Sequence, residues 1–226
     1  MIDLYCERLA PGFWAEPVNA LTNLSFLLAA FYAWRLAAKR QALSTGTWTF
    51  IALIAAIGIG SFLFHTFANG WSMAADVIPI LLFQVTFLWI YGARVIGWSV
   101  SVRLGSVGLL VGGVAAGMRY PDLFNGSLRY LPAIVLLLGL GAYHWMNAAS
   151  ERGVLLLATG VLCVSLLFRS IDLSLCDTLP IGSHFLWHLL NGLVLYLVFR
   201  GLLAGQRVND KSTLARVSAR SSASSQ

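Results

Sequence analysis

Seven apolar stretches, each close to twenty residues long, occupy most of this chain. They run roughly over 18–38, 46–66, 73–93, 101–118, 128–147, 153–170 and 183–203. About twenty residues of helix cross the roughly 30 Å of a bilayer's hydrocarbon core. Lipid offers no partner to a backbone N–H or C=O, so a segment of this kind satisfies its own backbone as a helix. Composition agrees: 58% of the 226 residues are hydrophobic and only 11% charged, with mean hydropathy +0.78, where a soluble domain carries about 25% charged residues. A cytosolic globular protein and a largely disordered chain are both excluded. The expected fold is an all-α membrane protein, a seven-transmembrane helix bundle forming one domain over 18–204. A segment 1–17 precedes it, and a polar, Ser-rich stretch 205–226 follows, expected to be a disordered tail. The fourth span is rich in glycine (Gly105, Gly108, Gly112, Gly113, Gly117), which predicts close helix approach along it.

The charge of +6 is spread over loops rather than gathered on one soluble face, so no nucleic-acid partner is expected. Eleven of the fifteen Lys and Arg fall in the loops after spans 1, 3 and 5 and in the tail, four on the other side. The positive-inside rule therefore predicts the N-terminus outside, in a lumen or periplasm, and the C-terminus cytoplasmic. The first residues lack the basic and apolar regions of a cleavable signal. A multi-pass protein of a bacterial inner membrane or a eukaryotic endomembrane is expected, its oligomeric state unreadable. Cys163 lies mid-span and is expected to be a small buried hydrophobe. Cys6 and Cys176 fall on the same predicted outer side, where a disulfide would persist. Either that bridge or two free thiols fits the sequence.

Ionisable groups inside spans are costly, about 2.5–3.5 kcal/mol each at the bilayer centre on insertion scales, and this chain has few. Span 2 ends Gly-Ile-Gly-Ser-Phe-Leu-Phe-His, with Ser61 and His65 four apart; Asp76 opens span 3; span 7 begins with His184 and, four residues on, His188. Residues four apart share a helix face at about 5–6 Å. Span 2 runs outward and spans 3 and 7 run inward, so these five residues, at the end of span 2 and the starts of spans 3 and 7, meet at one depth, toward the outer leaflet. Three histidines with a fourth position open are the donor set of a catalytic zinc, whose bound water has a pKa near 7. Asp76 is placed to act as general base on that water, and Ser61 to donate a hydrogen bond to an oxyanion or to the water. Each histidine alone would read as an ordinary hydrogen-bonded polar residue, as His144 does beside Tyr143 and Trp145, where it looks like an interfacial anchor.

With those residues on one map, the chain resembles the alkaline ceramidase family, within the superfamily of seven-span membrane hydrolases that includes the adiponectin receptors. Three blocks carry the resemblance: Tyr-Cys-Glu with Ala-Glu-Pro-Val-Asn near the N-terminus, the span-2 block followed eleven residues after its histidine by Asp76, and His-Phe-Leu-Trp-His in span 7. The resemblance implies that His65, His184 and His188 are zinc ligands, that Ser61 and Asp76 are catalytic, and that the substrate is a ceramide-type lipid, cleaved to a sphingoid base and a free fatty acid. It also implies a possible calcium site, in which Glu7 and Glu16 match two acidic ligands. The pattern departs at Leu4, where the family has an acid, and at Leu9, where it has Asn. Asp3 could substitute after a one-residue shift, and the alternative is that Glu7 pairs with Arg8 or another neighbour while Glu16 caps span 1.

Other polar residues read as supports: Glu16, Asn19 and Asn23 form one stripe on span 1, and Asn191 follows His188. Arg169 and Asp172 are expected to pair at the end of span 6, and Trp71, Trp187, Tyr120 and Tyr130 to sit in interfacial belts. A site in the outer half of a bilayer receives lipids by lateral entry. Amide and ester carbonyls lie at a similar depth, so a phospholipase-like acyl hydrolase is the near alternative. A seven-span receptor with a structural zinc is the alternative from another class. A retinal Schiff base is excluded, because both lysines, Lys39 and Lys211, lie outside the spans.

Overall fold

The computed structural model describes the backbone of residues 1–148 and 150–223 and the side chains as far as residue 206. Among the described residues there are helices and turns and no strands, and seven helical segments are long and apolar enough to cross a membrane. The first span is broken: α1 (Pro17–Thr22) and α2 (Leu24–Lys39) meet at Asn23. Pro17 occupies the first turn of α1, where its missing N–H is no loss. The next two amides, Val18 and Asn19, donate to the two carboxylate oxygens of Glu7 at 2.6 and 2.8 Å.

The second and third spans start with capping boxes. Ser44 and Thr47 open α3 (Thr45–Phe67), and Asn69 and Ser72 open α4 (Gly70–Tyr91). Each box satisfies two amides that a helix start leaves orphaned. The corner between α3 and α4 is only two residues, with Ala68 left-handed at φ 45°, so the two helices run antiparallel side by side. A π-helical turn, Gly92–Ile96, prolongs α4. Then come α5 (Val100–Gly117), a 3-10 turn Ser127–Tyr130 leading into α6 (Leu131–Asn147), α7 (Val154–Ile171), and α8 (His184–Ala223). No Pro and no Gly follows Gly205, and α8 remains helical through the stretch whose composition reads as a tail; among the described residues its membrane-competent part is His184–Gln206.

Lipid tails are as apolar as leucine, so side-by-side packing here rests on shape and polar bonds more than on escape from water. Ala29, Ala33 and Ala37 line the buried face of α2, and Gly192 of α8 comes so near Ser25 that an added Cβ would sit 3.0 Å from its backbone. The glycines of α5 behave differently from expectation. Only Gly113 and Gly117 meet a neighbour, Pro132 and the Arg129 backbone, whereas Gly105, Gly108 and Gly112 face open space. The reason is that α5 is peripheral and has the smallest buried share of any span. Cys163 is also exposed, on the outer side of α7, and is not a buried hydrophobe.

The bundle is tied at both ends. Cys6 and Cys176 form a disulfide that fastens the N-terminal segment to the connection before α8. At the other end Glu151 accepts from Arg200 Nε at 2.6 Å and from Arg40, joining the α6–α7 connection to α2 and α8. Burial pushes the Glu151 carboxyl up, but the two arginines outweigh it and hold the group below its usual value.

Candidate metal centre

His65 lies in the last turn of α3, His184 is the first residue of α8, and His188 is one turn further on. One ring nitrogen from each comes within 4.8 Å of the other two, and none of the three side chains is more than 2% exposed. The three imidazoles are presented by fixed neighbours. Thr22 Oγ1 gives its single proton to the Val18 carbonyl at 2.8 Å, so it accepts from His188 Nδ1 at 2.9 Å. That fixes the proton on Nδ1 and leaves Nε2 as a bare lone pair, and this buried Nε2 has no partner. His65 Nδ1 faces Glu16 Oε2 at 2.5 Å, which likewise frees its Nε2. His184 Nδ1 is also buried without a partner. Unpartnered buried polar atoms cost about 1–3 kcal/mol each, and a cation among them removes that penalty. The donor set fits a first-row metal that accepts imidazole.

α8 starts where it does because of Asp172. Its Oδ1 accepts from the amides of Ser183 and His184 at 2.6 and 2.8 Å, and its Oδ2 from the Cys6 amide at 3.1 Å. Gly182 takes φ 64°, and any Cβ there would collide with the Asp172 carboxylate. Ser25 Oγ binds the His188 carbonyl at 2.8 Å, and the Tyr5 ring stacks on His184 with centroids 3.6 Å apart. Burial raises the Tyr5 phenol above its usual range, so it stays protonated. Asp172 thus serves as a cap. The expected Arg169–Asp172 pair is absent; Arg169 donates to the Asn125 carbonyl at 2.9 Å and lies against the rings of Tyr5, Tyr130 and Trp187.

Ser61 and Asp76 come together through a backbone approach. A Cβ on Gly60 would overlap the Ala75 carbonyl oxygen, so α3 and α4 touch main chain to main chain at the residues just before Ser61 and Asp76. Both side chains line a cavity of about 870 Å³, its open mouth included. Most of its lining is apolar, Phe26, Ile57, Phe83, Phe87, Leu110 and Val198 among it. Asn191 reaches the cavity too while donating to Ser165 Oγ at 2.7 Å. Trp187 and Tyr130, expected in interfacial belts, are buried and line the cavity. His144 is not an interfacial anchor either: it is buried at the far end of the bundle, bonded to the Tyr91 hydroxyl at 2.8 Å.

Glu7 and Glu16 sit beside the centre with their oxygens engaged. Glu7 caps α1, as described, and burial, outweighing those two amides, raises its carboxyl above the usual value. Glu16 has no side-chain role as a helix cap. It holds His65 with one oxygen and Arg8 Nε with the other at 2.5 Å, and accepts from Asn19 Nδ2 at 3.1 Å. Burial opposes its ionisation, but His65 and Arg8 outweigh burial and keep the carboxyl below its usual value. Asp3 is exposed. Thr22, Arg8 and Tyr5 escape a search for metal-ligating types, because their roles lie in partners far away in sequence.

Fold and site together define a multi-pass helical membrane protein with a buried three-histidine group and a largely apolar cavity lined by Ser61 and Asp76. A family model described as Ceramidase matches residues 5–217, and the chain belongs to that family. The family is one of hydrolases, and its name implies a ceramide-type lipid as substrate. No curated protein matches the chain.

Proposed function

We propose that the protein is a zinc-dependent intramembrane amidohydrolase that cleaves ceramide-type lipids into a sphingoid base and a free fatty acid. The observation that carries the reading is the convergence of three buried imidazoles, with His188 Nε2 and His184 Nδ1 unpartnered, in a bundle whose largely apolar cavity is lined by the Asp76 carboxyl group. Zinc held by His65, His184 and His188 would supply an acidified water and a Lewis acid for the carbonyl. Asp76 takes the proton of the attacking water and returns it to the departing amine nitrogen, so one carboxyl serves as base and then acid. Ser61 donates a hydrogen bond to the carbonyl oxygen as negative charge builds there. Water adds to the acyl carbon, the C–N bond breaks, and the acyl half leaves as a carboxylate. The apolar walls hold the hydrocarbon and exclude bulk water from the reacting bond. With the N-terminus outside, as the distribution of Lys and Arg favours, the reaction takes place in the outer half of the bilayer and the lipid enters sideways.

The test is release of fatty acid from a panel of ceramides by purified protein, measured by mass spectrometry, with chelation and zinc add-back. Release that stops with chelator and returns with zinc is the expected result. Zinc bound at one equivalent with no release from any ceramide, but release from an ester lipid, would overturn the amidase assignment.

A further inference from the structure

The N-terminal segment brings a buried cation of its own to the metal centre. Arg8 is 3% exposed. Its Nε donates to Glu16 Oε1 at 2.5 Å and its Nη2 to the backbone carbonyl of His65 at 2.8 Å. That carbonyl lies in the last turn of α3, where helix carbonyls lack intrahelical partners and the helix dipole favours positive charge. The guanidinium therefore bridges the start of the first span and the end of the second. Glu16, the carboxylate it neutralises, faces His65 Nδ1 with its other oxygen. Carboxylates that accept from the distal nitrogen of a ligating histidine set its tautomer, its orientation and its basicity.

We propose that Arg8 is a positioning residue of the metal centre and stands in for a divalent cation in the N-terminal segment, so that the protein needs no calcium. The proposal rests on reading the three histidines as a metal site. Glu16 buried alone beside Glu7 would carry a large desolvation penalty and repel it; the permanent charge of Arg8 offsets both. The same charge leaves no room for calcium. Glu7 spends one oxygen on each of two amides, Leu4 and Leu9 offer no side-chain oxygen, Asp3 is exposed, and a divalent ion next to Glu16 would face a guanidinium. Arg8 acts on the metal only through Glu16 and His65: the ring stays turned so that Nδ1 meets a carboxylate and Nε2 points to the other two histidines.

The experiment uses the full-length chain purified in detergent. Zinc affinity is measured by competition with a chromophoric chelator for wild type, Arg8→Gln and Arg8→Lys, and thermal unfolding of wild type is followed with calcium, magnesium or a calcium chelator. Arg8→Gln should weaken zinc binding about 10- to 100-fold, the range for loss of such a supporting partner, and Arg8→Lys, which keeps the charge, should recover most of it. Wild type should unfold at the same temperature in all three conditions. Wild-type zinc affinity in Arg8→Gln, or a saturable calcium-specific rise in wild-type unfolding temperature, would overturn the proposal. The calcium arm uses no variant, so it decides even where Arg8→Gln does not fold. Failure of wild type itself to bind zinc would count against the amidohydrolase reading and leave the calcium result standing.

Discussion

Gly60→Ala should be among the most damaging single-methyl additions this protein can suffer, and the structure says by how much. The new Cβ would overlap the Ala75 carbonyl oxygen and lie 3.1 Å from the Asp76 amide nitrogen. Both obstacles are main chain, so no rotamer change relieves the clash and α3 must move off α4. Forced overpacking costs about 1–3 kcal/mol, and a backbone obstacle puts this case at the upper end. At roughly 2–4 °C per kcal/mol for a chain of this size, the unfolding temperature should fall by about 6–12 °C. The same shift separates Ser61 from Asp76, and a misplacement of about 1 Å in a catalytic constellation can lower rate about 100-fold. Gly108→Ala is the matched control. It adds the same methyl in the interior of α5, where nothing lies within 4 Å, and replacing helical Gly by Ala is worth about 0.5–1 kcal/mol in stability. Thermal unfolding in detergent and ceramide turnover, measured on both variants, check the argument. An unfolding temperature and rate for Gly60→Ala equal to those of wild type would refute the α3–α4 contact and the reasoning built on it.

Asp76→Asn should retain one equivalent of zinc, by metal analysis, while turnover drops about 100- to 10,000-fold, the range for loss of a general base; turnover at the wild-type rate would remove Asp76 from that role. Glu151→Gln should lower stability at neutral pH by about 1 kcal/mol or less per arginine contact, since these pairs are partly solvated. Because the folded-state carboxyl sits below its ordinary 4.5, its contribution is present above that value and fades as pH falls through the folded-state value. The gap between variant and wild type in a pH series of unfolding curves should therefore be flat from pH 5 to 8 and close at lower pH. Replacing Cys6 and Cys176 together by Ser should free the segment that carries Tyr5 and Arg8. Zinc affinity should fall along with unfolding temperature, and unchanged affinity in the chelator competition would show that the disulfide matters to the fold alone.

Different forces make different parts of this molecule readable. Span number and rough limits follow from length and apolarity alone, because a helix in lipid satisfies its backbone whatever its neighbours are. His184 and His188 are likewise legible, since the spacing of four dictates a shared face wherever the helix points. What fails is rotation about each helix axis. A span that is apolar all round carries no stripe to tell inside from outside, which is why Cys163 faces outward, His144 is buried, Trp187 lines the cavity, and three glycines of α5 pack against nothing. Depth, by contrast, is set by counting along the chain, and depth alone brings His65 level with the pair on α8.

The supporting residues fail to show for another reason: each acts through a partner that no local pattern specifies. Glu16 and His65 are 49 positions apart, Thr22 and His188 are 166 apart, and so are Cys6 and Asp172. In every case one partner belongs to the N-terminal segment or to the broken first span. Counting on from α3 and α8 would already give the three histidines, but not the proton on Nδ1 of His65 or His188; those protons are fixed by Glu16 and Thr22, at the two ends of α1. Glu16 just before α1 and Thr22 at its end bring a carboxylate and a hydroxyl to two different histidines at once. Glu7 capping α1 and Arg8 tying Glu16 to the end of α3 therefore belong to one device, which explains why so short a segment holds a disulfide and a buried ion pair.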